Sequence, residues 1–328
     1  MAEARVRALI YRETCKRVFW SLCREDWSAS TWRNTYTFRP SQVTTPLPLN
    51  LHERDLAQGI TAEQPAAAYT SLSWSLAQVK ISHYVQRVFQ AIDEPLERAH
   101  DVLLEVDADF SNWFASLPAW WTGGTLSSGM PPSYRWLQCA FTVSAHYKML
   151  ELHRRYVNKP EPRYETSRAR IVDLARIILQ EAPNVGECRI WTVLYHLSSA
   201  CLLSLRDLFN QTHLPAAESA QRRSEIALAV SVLEGARPLS GIAQRAHHFI
   251  SQLLQMEAEQ AQQQQAASVV LDTQAAQPPP PLPQPFGPDF VFQEGGEMDP
   301  FQFDFLELDG RQHPLLWTEE GDGGMLFE

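Results

Sequence analysis

Closely spaced cysteines are missing from this 328-residue chain. The five that it has are scattered, and no two of them form a CxxC pair: Cys15, Cys23, Cys139, Cys188 and Cys201. An odd and dispersed set predicts neither a disulfide framework nor a cysteine-based zinc site. We therefore expect reduced thiols inside an intracellular protein.

Long apolar runs and alternating strand patterns are missing as well. No run approaches the roughly 18 apolar residues of a membrane span, and no charged-then-apolar leader precedes the first helical pattern. We expect a soluble protein without a membrane partner. Apolar residues recur instead at three- and four-residue steps, which is typical of helices.

Motifs that carry chemistry are also few. There is no GxSxG sequence, and Gly123-Gly124 is not followed by the Lys-Ser/Thr of a phosphate loop. Cys139, His146 and His153 recur every seven residues on one predicted helix, which separates successive members by about 10 Å, too far for one ion. We assign no catalytic, cofactor-binding or metal-binding residue and no cofactor, and we expect a protein that is not an enzyme.

Two further features have a structural and a functional interpretation. Trp120 and Trp121 lie in a Gly/Ser/Pro loop and could line a ligand mouth, but we favour a lid that packs onto the core. Asp107 and Asp109 are two residues apart on a predicted helix and should point in different directions. We therefore predict a solvated helix face for them.

The helical patterns predict an irregular all-α domain of about eight helices over residues 1–265. The expected helices cover 3–32, 65–92, 95–117, 134–156, 167–182, 187–211 and 216–236, and a last one starts near 239. Thr166 or Ser167 can cap the fifth of these. The apolar stretch of 187–211 predicts a central helix.

The first predicted helix carries a carboxylate on its apolar stripe. Val18, Leu22 and Asp26 recur at four-residue steps, with Cys15 and Phe19 beside them. We expect this stripe to face the core. A carboxylate there must find hydrogen-bond donors, so Asp26 is predicted to be a buried, hydrogen-bonded structural residue.

Charge divides the chain into a nearly neutral body and an acidic tail. Residues 1–257 hold 27 Lys and Arg against 25 Asp and Glu, whereas residues 258–328 hold one Arg against 13 acids. Residues 277–288 contain seven prolines in twelve positions. We predict a Gln/Pro-rich linker over 266–288 and a disordered segment over 289–328.

In the acidic tail, aromatic and acidic residues alternate. A solubilising tail needs only the acids, so we favour an activation segment whose apolar side chains bind transcriptional coactivators. The predicted partner-binding residues are Phe301, Phe303, Phe305, Leu306 and Leu308.

Two ordered sets of residues resemble the middle homology region of fungal binuclear zinc-cluster transcription factors. The first runs from Arg12 to Leu56 and places a Glu, a basic pair, a Trp and an Asp-Trp step on one helix before an extended loop. The second runs from Leu150 to Ala182 and contains His-Arg-Arg-Tyr and a Ser-Arg helix start. The residues carried over as structural signature are Glu13, Arg17, Trp20, Asp26, Trp27, Pro48, Asn50, Arg154, Arg155, Ser167 and Arg168.

The resemblance implies a nuclear transcription regulator that acts through protein–protein contacts, with a possible homodimer or a related factor as partner. The family binds DNA through a six-cysteine basic module that these residues do not supply, so zinc would enter only with such a module and DNA contact would be indirect. The chain could be a fragment or a regulator without its own DNA reader. Two alternatives stay open: a helical small-molecule-binding protein or enzyme, and a DNA-independent co-regulator that pairs with full-length relatives.

Overall fold

The computed structural model describes residues 2–123, 130, 134–185, 190–210 and 215–271, and these residues form helices and connecting segments without a single β-strand. The helices are α1 Ala2–Arg33, α2 Glu53–Ala57, α3 Ser73–Phe89, α4 Leu96–Ala115, α5 Tyr134–Arg154, α6 Glu165–Gln180, α7 Ala182–Val185, α8 Trp191–Asn210, α9 Ala216–Ala236 and α10 Gly241–Leu271. Eight of them are long, and α2 and α7 are single turns. The prediction of an all-α body is confirmed.

Helix α8 lies at the centre of the second half, as its apolar sequence predicts. It packs against α5, α6, α9 and α10. Val193, Leu197, Ala200, Cys201 and Leu205 are completely buried along it. Burial of four or five such side chains contributes roughly 1.5–3 kcal/mol for each large one, so α8 organises the packing of its neighbours.

The prediction that the stripe of Val18 and Leu22 on α1 faces the core is wrong. Val18 and Leu22 are 56% and 53% exposed, and Cys15 is also exposed. The buried side of α1 includes Glu13 and Trp27 instead, because α1 packs on α3 and on the extended segment that follows it. That segment offers backbone polar groups, and polar side chains that bond to them can be buried at little cost.

Helix α3 begins at Ser73, eight residues later than its pattern predicts. Residues 58–72 are held outside the helix by local hydrogen bonds. Ser73 Oγ accepts from Thr70 N at 2.9 Å, and Thr70 Oγ1 accepts from Leu72 N at 3.1 Å. Gly59, with φ +77°, ends α2 in a left-handed conformation that favours glycine, and an added Cβ would lie 3.0 Å from Val6 Cγ2.

The tandem tryptophans pack onto the core, as predicted. Trp120 and Trp121 are 5% and 3% exposed, and Trp120 Nε1 donates to the carbonyl of Ala67 at 3.0 Å. Their rings stack on each other at 4.7 Å, and Trp121 contacts Phe141 at 4.3 Å. The pair therefore fastens the end of α4 to α5.

Other boundaries differ from the prediction by less. Helix α6 begins at Glu165, so Ser167 lies inside the first turn and is buried, where it cannot act as the predicted cap. Helix α10 continues to Leu271. The predicted activation segment, including Phe301, Phe303, Phe305, Leu306 and Leu308, lies outside the described residues. None of the described helices combines the length and the apolar character that a membrane crossing needs.

Candidate functional site

Two polar networks account for most of the signature residues. The first, which we call the N-terminal clasp, joins α1 to the extended segment of residues 37–53. Glu13, 1% exposed, is its most buried carboxylate: Oε2 accepts from Leu49 N at 2.9 Å, and Oε1 accepts from Lys16 Nζ at 2.7 Å. One buried acid thus neutralises a lysine and holds the loop backbone, which makes its burial tolerable.

The second half of the clasp lies about two to four turns further along α1. Asp26 Oδ2 accepts from the backbone amides of Thr37 and Phe38 at 2.7 and 2.8 Å. Trp27 Nε1 donates to the carbonyl of Phe38 at 2.8 Å, and Trp20 Nε1 donates to that of Pro46 at 3.0 Å. Asp26 is hydrogen-bonded as predicted, but it is half-buried and faces the loop rather than the helical core.

The end of the loop has its own anchor at Asn50. Its Nδ2 donates to the carbonyls of Gln64 and Pro65 at 3.2 and 3.3 Å, and its Oδ1 accepts from Thr70 Oγ1 at 2.7 Å. Pro48 is buried just before it. Arg17 donates to Glu53 at the start of α2. The signature residues of α1 and its loop therefore share one task, which is to fix a segment whose only helical part is the 3-10 turn Pro40–Gln42 before α2 begins.

The second network is buried where α4, α5 and α6 meet, and we call it the histidine network. Ser167 Oγ lies 2.8 Å from His100 Nε2 and 2.9 Å from His153 Nδ1. His153 Nε2 lies 3.7 Å from Asp107 Oδ2, and Arg170 holds Asp107 with two hydrogen bonds of 2.8 and 3.0 Å. A hydroxyl has one proton to give, so one imidazole accepts from Ser167 and the other donates to it.

In the histidine network, burial and ion pairing act in opposite directions on the pKa of Asp107. Burial alone would raise the pKa of Asp107, but its contacts with His153 and Arg170 outweigh burial and lower that pKa. Burial lowers the pKa of His100, and the nearby His153 and Arg163 lower it further. Asp107 therefore stays ionised and His100 stays neutral near pH 7.

Ser167, His153 and Asp107 together have the residue types of a hydrolase triad. Ser167 and His153 are both completely buried, and the hydroxyl of Ser167 is already shared by two imidazoles. A nucleophile must reach a substrate carbonyl, and this hydroxyl has no free approach. The arrangement is suited to joining three helices, and it gives no support to acyl transfer.

Three members of this network, His100, Asp107 and Arg170, were not predicted to take part in it. Asp107 was predicted to be solvated, yet its side chain is only 14% exposed because Arg170 and His153 face it. A signal was available, since Asp107 lies four residues after Leu103 and three before Phe110 on the buried side of α4. Nothing in the sequence pairs it with Arg170, which is 63 residues away.

The remaining signature residues lie around the histidine network. Arg168 donates to the carbonyl of Lys159 and, through Nε at 3.1 Å, to Glu165, so it fixes the turn before α6. Arg154 ends α5, and both it and Arg155 are half-buried. These positions support the helix ends rather than an exposed basic patch.

The predicted Cys-His stripe of α5 does not converge. Cys139 Sγ lies 3.8 Å from the carbonyl of Glu181, His146 Nδ1 lies 2.8 Å from the carbonyl of Thr142, and His153 belongs to the histidine network. Over the described ranges, no group of three His, Cys, Asp or Glu side chains is placed to hold a metal ion.

Comparison with known proteins places the chain beside a fungal transcription regulator. No family model matches the chain, and no solved structure matches it. Among curated proteins it is similar to the agnestins biosynthesis cluster transcription factor AgnL11 of Paecilomyces divaricatus. The two are 25% identical over 264 residues, which cover 75% of this chain and 38% of that protein. The chain thus spans less than two fifths of the length of this relative.

This similarity supports a role in transcription regulation and favours a regulator over an enzyme. It agrees with the fungal transcription factor resemblance at the level of the broad class.

Proposed function

We propose that this protein is a fungal transcription regulator whose helical body acts through protein–protein contacts and whose acidic tail recruits coactivators in the nucleus. The observation that carries the proposal is the similarity to a cluster transcription factor over three quarters of the chain. The clasp and the histidine network add support, because the signature residues Glu13, Asp26 and Ser167 make the hydrogen bonds that hold the helical body together.

Charge pairing in the body supports an indirect relation to DNA. Three arginines of the body are engaged with acids: Arg170 with Asp107, Arg222 with Asp207 and Arg223 with Glu257. Guanidinium groups that are paired inside the body are not free to neutralise phosphates, and phosphate neutralisation supplies most non-specific DNA affinity.

In this proposal the acidic tail binds the coactivators. Acids between Asp299 and Asp309 keep Phe301, Phe305 and Leu308 in water until a partner groove takes them. Burying three such side chains yields roughly 5–8 kcal/mol gross. Ordering about nine residues offsets much of that gain, so we expect reversible binding on the order of micromolar.

A reporter experiment tests the tail. Residues 286–328 are fused to an unrelated DNA-binding module, and the same fusion carries Phe301→Ala, Phe303→Ala, Phe305→Ala and Leu306→Ala. The charge of the two fusions is identical, so a difference in output reports the apolar side chains. We expect the parent fusion to activate the reporter and the substituted fusion to lose most of that activity.

A matched control separates aromatic content from position. The same fusion with Phe286→Ala and Phe327→Ala, at the ends of the segment, should retain most of its activity. Equal output from the parent and the quadruple variant would leave a solubilising tail as the better interpretation.

A further inference from the structure

Between Ala4 and Leu22, the outward face of α1 combines apolar and basic side chains and exposes no acid. Tyr11, Val18 and Leu22 are 73%, 56% and 53% exposed, and Cys15 is exposed as well. The exposed charged residues of this stretch are all arginines: Arg5, Arg7 and Arg12. A helix face that stays in water is normally polar, so a face with several large apolar side chains has the composition of a binding surface.

The apolar and small residues of this face follow the spacing of a coiled-coil seam. Steps of four and three residues alternate along six exposed positions: Ala4, Ala8, Tyr11, Cys15, Val18 and Leu22. Side chains with this spacing form a line along the helix that a second helix can cover. We call these six residues the α1 seam.

The arginines lie at the positions that select a partner in a coiled coil. Arg5 and Arg12 each follow a residue of the α1 seam on one side of it, and Arg7 precedes one on the other side. The remaining flanking positions hold Thr14, Phe19 and Ser21, so no flank carries an acid. Charges at flanking positions determine which helices pair, because opposite charges attract across the contact and like charges repel.

A second copy of α1 does not supply the acids that these arginines lack. All four acids of α1 are engaged within their own chain: Glu3, Glu13, Glu25 and Asp26. In a parallel pair of two copies, Arg7 of each copy would lie beside Arg12 of the other, and the two like charges would repel. In an antiparallel pair the arginines would meet flanks that carry no acid.

We propose that the α1 seam binds an acidic amphipathic helix of a different protein, with apolar residues in heptad spacing and Glu or Asp at the flanking positions. The apolar residues of that helix cover Tyr11, Val18 and Leu22, and its acids pair with the arginines. These acids belong at the end of the partner that lies over the N-terminal half of α1, because the flanks of the C-terminal half are uncharged. The inference does not depend on the proposed function, since it rests on exposure, spacing and charge in α1.

The length of the seam sets the size of the partner helix and the strength of the contact. The seam runs over about 27 Å, since each helical residue rises about 1.5 Å, and about three heptads of a partner helix cover it. Two helices in contact over that length bury on the order of 1,000 Å² in total, at the lower limit for a specific interface. We therefore expect a reversible complex with a dissociation constant on the order of 10 µM.

Two synthetic peptides of about three heptads test the charge preference. Both carry Leu at the seam positions, and the flanking positions are all Glu in one peptide and all Lys in the other. Occupancy of the seam is read from the alkylation rate of Cys15 in the full chain, because Cys15 is exposed whereas Cys23, Cys139 and Cys201 are buried. Mass spectrometry of the proteolytic fragment that contains Cys15 isolates this rate.

We expect the Glu peptide to protect Cys15 half-maximally at about 10 µM and the Lys peptide to need about tenfold more. The full chain has a net charge of −10, so non-specific attraction would favour the Lys peptide instead. A preference for the Glu peptide therefore reports the local charge of α1.

Substitutions in α1 separate the charge contribution from the apolar one. Arg5→Glu, Arg7→Glu and Arg12→Glu together should reverse the preference, so that the Lys peptide protects better. Val18→Glu with Leu22→Glu should weaken protection by the Glu peptide about tenfold, and the thermal melting curve should not change because both side chains are already exposed. Leu239→Glu, at a leucine that is 72% exposed outside α1, is the matched control and should behave like the parent.

Four results would overturn the proposal. Three concern the peptides: equal protection by both, a preference that the arginine substitutions do not reverse, and protection that V18E/L22E leaves intact. The fourth is protection of Cys15 in the chain without peptide. If that protection rises with chain concentration, a second copy covers the seam, and if it persists on dilution, the seam is covered from within the chain.

Discussion

Asp26 and Glu13 illustrate how single carboxylates organise the N-terminal part of this protein. Asp26 accepts hydrogen bonds from two backbone amides of the extended segment, at 2.7 and 2.8 Å, and Glu13 accepts one at 2.9 Å. A carboxylate that accepts backbone amides makes charge-assisted hydrogen bonds, which are stronger than neutral ones. The loop, whose only helical part is the 3-10 turn Pro40–Gln42, is therefore fixed mainly by side chains of α1.

The substitution Asp26→Ala should destabilise the protein by about 1–3 kcal/mol. It leaves the amides of Thr37 and Phe38 without their acceptor at a half-buried site, and an unpaired donor costs this much. Urea unfolding followed by circular dichroism measures the change. Glu3→Ala, at an exposed carboxylate of the same helix, should stay within about 0.5 kcal/mol. Equal midpoints for the two variants would remove Asp26 from the clasp.

His146 should make the fold sensitive to acid. Burial lowers its pKa to about 4, so the folded chain resists a proton that the unfolded chain accepts near pH 6.5. The unfolded state then binds more protons, and stability falls as the pH drops from about 6.5 towards 4, by up to about 3 kcal/mol.

Chemical denaturation at pH 7 and pH 5 measures this effect. His146→Gln should reduce the difference between the two pH values, and burial also lowers the pKa of His83, His100 and His196, which keep the remainder of it. His248→Gln, at an exposed histidine, should leave the difference as it is. A pH dependence that His146→Gln does not alter would contradict the assignment.

At the scale of elements, the histidine network joins three helices through one hydroxyl. Ser167 of α6 contacts His100 of α4 and His153 of α5, and the rings of Tyr156 and Tyr164 lie 4.6 and 4.9 Å from the ring of His100. A buried polar group shared in this way stabilises one helix arrangement over slid alternatives, because any shift leaves buried atoms without partners.

Ser167→Ala should therefore cost about 1–3 kcal/mol of the free energy of unfolding, since both imidazoles lose the shared oxygen. Thr166→Ala, at the exposed neighbouring residue, is the matched control and should cost less than about 0.5 kcal/mol. Hydrogen exchange should also become faster in α4, α5 and α6 of the Ser167 variant. Protection unchanged in all three helices would argue against a joining role.

Helix positions could be predicted wherever the apolar periodicity ends at a helix-breaking residue such as proline. Helix α9 was predicted at its observed bounds, because Pro215 and Pro238 bracket an uninterrupted pattern. The start of α3 could not be predicted, because Thr70 and Ser73 bond locally and Asn50 draws the preceding residues to the loop. The buried side of α1 was misjudged for a related reason: besides α3, its partners include backbone groups of the extended segment, which apolar periodicity does not record.

The candidate networks were predictable in part. The signature residues Glu13, Asp26, Asn50 and Ser167 were named from the sequence, but their partners lie up to 36 residues away or on other helices. Pairings such as Arg170 with Asp107 depend on how α4 packs against α6. Helical periodicity defines faces of one helix and carries no information on which faces meet.

At the scale of the whole molecule, the separation of charge determines the expected partners. Residues 1–257 are nearly neutral, and the acids concentrate after them. The full chain should therefore bind duplex DNA weakly, because few of its basic groups are free to neutralise phosphates. Fluorescence anisotropy with a labelled duplex at about 50 and 200 mM salt measures this. A tight complex at either salt concentration would contradict this prediction.

The most direct test of transcription regulation attaches the full chain to a reporter gene. Residues 1–328 are fused to an unrelated DNA-binding module, and output is compared with the module alone and with a fusion that ends at residue 271. We expect the full chain to raise output and the removal of residues 272–328 to abolish the increase. Output from the full chain equal to that from the module alone, with the fusion expressed and bound at the reporter, would argue against a role in transcription regulation.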